Sequence, residues 1–179
     1  MFSDPIENVK RLGLVEGNRA VDFGSGSGAY SLAMARQVGV TGLVYAVEVQ
    51  QVLLERLARE VKTQRINNLK IVHGDVDKIG GTGLRDGVAD LVLLANILFQ
   101  SDAKYTMILE AKRVLRAGGR LAVVEWSGSF GNLGPAEDRV VHPEEVKEIG
   151  AQAEMTFLND FPAGEHHYGL MFQKNSRQP

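Results

Sequence analysis

Asp22, Gly24, Gly26 and Gly28 alternate with other residues in Val21-Asp22-Phe23-Gly24-Ser25-Gly26-Ser27-Gly28, and an acid, Glu48, follows the next apolar run. Glycines at this spacing let the backbone turn tightly and approach a ligand with no Cβ in the way. The free amides at the start of the following helix favour an anionic group. A carboxylate at the carboxyl end of the second strand can accept hydrogen bonds from both hydroxyls of a ribose. Together these residues suit the binding of a nucleoside-like cofactor.

Two cofactors share those requirements and part at Asp22. A dinucleotide sets a doubly charged pyrophosphate against the glycine turn, where a nearby carboxylate repels it, whereas S-adenosylmethionine brings an ammonium and a sulfonium. The acid therefore favours the sulfonium cofactor, although Gly24, Gly26 and Ala29 also pass as a dinucleotide fingerprint.

The elements that must hold these residues follow from periodicity. Ala20 and Val21 lead into the loop as a strand, and Leu32, Ala33, Ala35 and Val38 mark a helix over residues 29–38. Further strands are expected at Val44–Val47, Leu69–Val72 and from Asp90, with helices over 50–65 and 102–116, the latter capped by Ser101. Ser3 can cap a short first helix that buries Ile6, Val9 and Leu12, with Pro5 in its first turn. Strands alternating with helices predict an α/β sheet wound on both sides. The glycine-dense stretch Gly80–Gly87 has no strand leading directly into it and reads as a surface loop. After Trp126 a flexible connection precedes a helix opened by Pro143, with Glu144 and Glu145 suiting its dipole, and two short strands near 155–158 and 168–173.

Asp-x-Gly-x-Gly-x-Gly followed by an acid after the second strand resembles the class I S-adenosylmethionine-dependent methyltransferases. His73-Gly74-Asp75-Val76, Asp90 to Asn96, and Val114-Leu115-Arg116-Ala117-Gly118-Gly119-Arg120-Leu121 fit the same family in order and spacing, from about residue 18 to 126. Ala117 stands where the family commonly has proline. The resemblance implies a Rossmann-like three-layer sandwich with a seven-stranded, mostly parallel sheet in the order 3-2-1-4-5-7-6 and an antiparallel last strand. It implies one methyltransferase domain over 1–179, with a short helix in 1–17, a cofactor-binding core in 18–126 and a substrate-side segment in 127–179. For the cofactor, S-adenosyl-L-methionine, it implies Asp22 by the ammonium and Gly24, Ser25, Gly26 and Gly28 along the methionine. Glu48 takes the ribose, Gly74, Asp75 and Val76 meet the adenine, Val49 and Leu53 wall the adenosine, and Ala95 and Asn96 lie beside the methionine.

Leu94 to Leu98, Leu115 to Gly119 and Glu125-Trp126-Ser127 look most like the quinone-biosynthesis methyltransferases, so the expected acceptor is a small molecule. Phe99-Gln100 stands where those proteins commonly carry a histidine pair, and Ile97 after Asn96 breaks the motif of many amino-group methyltransferases. Gly42 to Glu48 resembles fibrillarin-type RNA methyltransferases, without their Lys-Asp-Lys-Glu set. An RNA or protein methyltransferase with an open pocket, a nicotinamide-dependent oxidoreductase and a non-catalytic cofactor-binding protein stay open as alternatives.

Methyl transfer from a sulfonium needs collinear positioning, and a base only where the acceptor has a proton to lose. Glu125, His142 and His166-His167 are candidates. Solvent binding by Glu125, capping by His142 and a polar turn at the histidine pair account for them, so no catalytic residue is assigned. Adjacent histidines point apart on a strand, so no metal site is expected. The net charge of −2 offers no basic field for nucleic acid. Arg56, Arg59, Lys62 and Arg65 alternate with Glu55 and Glu60 as a solvated helix face. The chain has no cysteine, hence no disulfide or thiolate metal site. No apolar run approaches the ~20 residues a membrane helix needs, and Met1-Phe2-Ser3-Asp4-Pro5 has no basic region, so a cytoplasmic protein is expected.

Overall fold

The computed structural model describes residues 3–131 and 133–176; the first two residues of the leading segment, Asn132 of the connection and residues 177–179 lie outside it. The first helix, α1 (Pro5–Arg11), is capped by Asp4, not Ser3: the Asp4 carboxylate accepts from the amides of Ile6 and Glu7. Ser3 instead bonds the Tyr30 hydroxyl and the Asn8 side chain. Val9 and Leu12 are buried as expected, whereas Ile6 faces out at 54% exposure because the short helix presents only part of one turn to the core.

β1 (Arg19–Phe23), β2 (Leu43–Glu48), β3 (Leu69–His73) and β4 (Ala89–Ala95) are parallel, and β5 (Leu115–Trp126) continues them. The hairpin β6 (Met155–Pro162) and β7 (His167–Lys174) adds to β5 antiparallel, giving the order β3-β2-β1-β4-β5-β7-β6. This is the architecture that the resemblance implies. α1, α2 (Ala29–Gln37) and α3 (Gln51–Thr63) cover one face, and α4 (Lys104–Val114) and α5 (Pro143–Gln152) the other. Central strands have helices on both sides, so Phe23, Leu91, Leu93 and Leu94 are fully buried, each stabilising the fold by about 1.5–3 kcal/mol.

Three boundaries differ from the expected ones. α4 ends at Val114, and Leu115 already pairs with Ala89, so the Gly118-Gly119 turn becomes an irregularity inside β5. β6 runs on to Pro162, where pairing with β7 outweighs weak local propensity. Ser101 lies two residues before the α4 N-cap, Ala103, whose amide its hydroxyl accepts at 2.9 Å.

No helix spans from β3 to β4. Instead residues 74–88 lie over the α4 side, anchored by the fully buried Glu110. Its carboxylate accepts from the Gly80 amide at 2.7 Å and the Thr82 hydroxyl at 2.6 Å, and pairs with Arg113. A side-chain carboxylate thus fills the amides of the glycine-dense loop, which explains why that loop is not a phosphate cradle. Arg56, Arg59, Lys62, Glu55 and Glu60 are exposed on α3, as a solvated face should be. Among the described residues no helix is long and apolar enough to cross a membrane.

Candidate functional site

The turn after β1 uses its glycines for different purposes. Gly24, Gly26 and Gly28 all have positive φ (67°, 54° and 84°), the left-handed region that glycine adopts without cost. A Cβ on Gly24 would stand 2.1 Å from Ile97 Cδ1, at the edge of a cleft of about 250 Å³. On Gly28 it would stand 2.2 Å from Leu57 Cδ1, deep in the α3 packing. Gly28 therefore seats α2 against α3, while Gly24 and Gly26 line the cleft.

Glu48, the last residue of β2, is the floor of that cleft and only 6% exposed. One carboxylate oxygen accepts from the amides of Val49 and Gln50 at 2.9 Å each, and the other from Gly26 at 3.0 Å. Three backbone donors fix the group, and an ionised carboxylate still has lone pairs to offer a diol. The amide of Ser25 donates to Val47 at 2.9 Å, tying the glycine loop to β2. Val49, Leu53, Gly74, Asp75 and Val76 complete the walls expected around an adenosine.

Five of the expected residues stand outside the lining. Asp22 is 2% exposed, and its carboxylate accepts from the Ser31 hydroxyl at 2.5 Å. Burial first, and the charge of Glu48 last, push its pKa up to about 7. Asp22 thus lies beneath the loop, half-charged at neutral pH, and the repulsion expected of it falls instead to the acids of the cleft. Ser25 has a buried hydroxyl without a partner, and Gly28 is the packing glycine described above. Ala95 ends β4 and Asn96 follows it, both half-buried; Asn96 takes positive φ (56°), and its Oδ1 is buried and unpartnered.

The structure also adds residues that the sequence pattern did not mark. Asp77 lines the cleft, with Oδ2 accepting from the Ser101 hydroxyl at 2.9 Å and Oδ1 buried without a partner. Ile97, Gln100, Ser101 and Met107 close the side toward α4, and Val47 and Gln50 flank Glu48. Asp77 lies two residues beyond Asp75 in the same segment, a signal that spacing could have supplied. Met107 reads as core on any helical pattern. The charge of the lining is one-sided: Glu48, Asp75 and Asp77 with no lysine, arginine or histidine. Lys78 pairs with Asp75 from outside at 2.8 Å and, with the Asp77 amide, holds that carboxyl below its usual pKa.

Of the candidate bases, Glu125 is buried, not solvent-bound. Its oxygens accept from Leu98 at 3.0 Å and Trp126 at 2.9 Å, and burial raises its pKa to about 7. It caps the turn after β4 because that turn crosses the end of β5. His142 holds the N-cap position of α5 without a side-chain bond. Of the histidine pair only His166 lies in the turn, since His167 opens β7 and is 7% exposed. Among the described residues no group of three potential ligands could hold a metal ion.

A glycine turn after β1, an acid at the end of β2 and a cleft across the carboxyl ends of a 3-2-1-4-5-7-6 sheet define the doubly wound, nucleoside-cofactor class of α/β protein. Residues 21–123 match the family model for a methyltransferase domain, more than half of the chain, and the chain belongs to that family. It is 27% identical to a demethylmenaquinone methyltransferase of Geobacillus sp. (strain WCH70) over 121 residues, 68% of this chain and 50% of the relative. A second demethylmenaquinone methyltransferase, from Staphylococcus aureus (strain JH9), is 30% identical over 119 residues, 66% of this chain and 47% of the relative. The chain thus spans about half the length of the curated relatives it matches. A crystal structure of a SAM-dependent methyltransferase from Aquifex aeolicus superposes with a TM-score of 0.88 at 25% identity, covering 97% of this chain and 90% of that one. The [4+2]-cyclase SpnF shares the fold alone, at TM-score 0.80 and 18% identity over 96% of this chain and 80% of that one. One framework can therefore carry different chemistries.

Proposed function

We propose that this chain is a single-domain S-adenosylmethionine-dependent methyltransferase acting on a small-molecule acceptor. The observation that carries the reading is the all-acidic lining around an anchored Glu48: it suits a sulfonium cofactor with an ammonium and would repel a pyrophosphate. When bound, the cofactor supplies a methyl group on a positively charged sulfur. Glu48 holds the ribose diol, its own geometry fixed by three backbone donors. Val49, Leu53 and Val76 bound the adenine slot, with Asp75 and Asp77 as acceptors for its amino group. The glycine loop brings backbone within reach of the methionine, and Ile97 fills the space left by the missing Gly24 side chain. Asp22 is close enough to Glu48 to feel its charge, so an ammonium bound above the loop draws Asp22 toward its ionised form.

The relatives are named for demethylmenaquinone, and we extend to this chain the class that the name implies, a ring of quinone type. Positioning can lower the barrier by about 7–11 kcal/mol in favourable cases, so a rigid cleft beside the acceptor accounts for much of the rate. The reading is tested by incubating the protein with methyl-labelled S-adenosylmethionine and reduced quinones. Label transfer supports it, and a protein that binds the cofactor without turnover on any acceptor points to the cofactor-binding alternative.

A further inference from the structure

On the face of the sheet covered by α1 and α2, residues near the carboxyl edge of four neighbouring strands point the same way: Asp22 of β1, Ala95 at the end of β4, Trp126 at the end of β5 and His167 at the start of the antiparallel β7, with His167 and Trp126 lying beyond the level of Asp22. Ala122, Val124, Met171 and Ala95 belong to the core on that face, and alternation along β5 and β7 puts Trp126 and His167 on it too. His167 pairs in register with Trp126 at the carboxyl end of β5. Three strand spacings, roughly 14 Å, separate it from β1 and the glycine loop. Ala95, small and half-buried, lies between.

His167 is 7% exposed, yet neither ring nitrogen has a hydrogen-bond partner. Buried polar groups are normally satisfied, and an imidazole orphaned at both ends is one held for something else. Its ring lies 4.2 Å from that of Trp126, centroid to centroid. Phe130 is 6.4 Å from Trp126 and stacks on His166 at 4.0 Å. Flat apolar faces therefore surround a proton acceptor. The opposite face of the same strands is committed elsewhere: Glu125 caps the turn after β4, and the Tyr168 hydroxyl donates to Val141 at 2.7 Å.

The charged group that acts on His167 is His166 from its own turn; Trp126 of β5, in ring contact with it, carries no charge. Burial, and secondarily the charge of His166, holds the pKa of His167 below the usual 6.5. At neutral pH the ring is uncharged and has a lone pair free.

We propose that Trp126 and His167 form the acceptor site and that His167 takes the proton from a hydroxyl on an aromatic ring. The inference rests on the cleft being an S-adenosylmethionine site. In the step, the acceptor O–H proton passes to a ring nitrogen of His167 as the oxygen, or the ring carbon next to it, bonds to the methyl carbon; where carbon is the nucleophile, its hydrogen then leaves as a proton and the oxygen takes a proton back, restoring the aromatic ring. The carbon–sulfur bond breaks and its electron pair stays on sulfur, leaving a neutral thioether. The imidazolium then returns its proton to solvent as product leaves.

Trp126 is the one tryptophan in the chain, so its fluorescence reports this site. Catechol is the probe, titrated into protein saturated with S-adenosylhomocysteine and offered separately with S-adenosylmethionine from about pH 5 to 8.5. The wild type should show saturable quenching of Trp126 and methylation that falls on the acid side as His167 protonates. His167→Gln should lower catechol turnover on the order of 10²–10⁴-fold, remove the acid limb and leave S-adenosylhomocysteine affinity unchanged. The His167 ring-proton NMR signal of the wild type, which needs no variant to fold, should titrate below pH 6.5 and shift when catechol binds. Unchanged turnover and pH profile in His167→Gln overturn the proposal. So does a wild type that binds S-adenosylhomocysteine but neither quenches with nor methylates catechol. A wild type that takes up no S-adenosylhomocysteine overturns the cofactor reading itself.

Discussion

The two ends of the cleft-bearing sheet edge are built on opposite principles. Over β1 and β2 the ligand-facing surface is mostly backbone: glycines at positive φ, and a carboxylate already held by the amides of Gly26, Val49 and Gln50. Over β5 and β7 it is side chains, with Trp126, Phe130, His166 and His167 in ring contact and the His167 nitrogens unsatisfied. The Glu48 carboxylate, held by three backbone amides, is fixed before its ligand arrives and suits one invariant ligand, with the Ser25 hydroxyl, Asp77 Oδ1 and Asn96 Oδ1 left unpartnered around it. An unsatisfied aromatic cluster costs stability and keeps it only if a partner completes it. On the reading proposed above, the difference separates a cofactor end from an acceptor end.

The largest effect expected from breaking that contrast is at Glu48. Glu48→Ala should weaken S-adenosylhomocysteine binding by roughly tenfold or more, equivalent to about 1.4 kcal/mol. The variant also strands three amides, so unfolding free energy should drop by about 1–3 kcal/mol in urea titrations. Glu48→Gln, which keeps an acceptor oxygen, should recover part of the stability and little of the affinity.

Gly28→Ala comes next and sharpens the division within the glycine turn. It meets Leu57 in the core and should cost about 1–3 kcal/mol of stability, while ligand affinity measured on the folded fraction is unchanged. If affinity falls and stability holds, Gly28 belongs to the ligand surface and not to the packing.

Smaller effects concern pH. Asp22 and Glu125 have folded-state pKa values of about 7, above the usual 3.8 and 4.5. Between those values and 7 the folded chain holds protons that the unfolded chain has released, so stability from these groups is full below about pH 4 and lost as pH rises to 7. The melting temperature of the wild type minus that of Glu125→Gln should therefore decline over that window. For Asp22 a cofactor test is added: an ammonium favours the carboxylate, so S-adenosylhomocysteine affinity should rise with pH through 7 and binding should release a proton. In Asp22→Asn both trends should flatten.

The same contrast explains what could be read from the chain before folding. The glycine loop and Glu48 are local devices, set by a turn and a strand end, and their geometry is written in adjacent residues. Asp22 was visible but its burial was not, because Ser31 reaches it only after α2 docks. Glu125 and His167 lie on neighbouring strands, and pairing of β5 with β7 decides what each faces. No spacing in the sequence reveals that one histidine of the pair loses every partner. The strand order followed from family likeness, while the loop anchored by Glu110 depended on a contact between residues thirty positions apart.

The most direct measurement is calorimetric titration of the wild-type chain with S-adenosylhomocysteine and, separately, with NADH. An acid-lined cleft predicts saturable one-to-one binding of the first and none of the second. Binding of NADH with no heat from S-adenosylhomocysteine would contradict the assignment of the cleft.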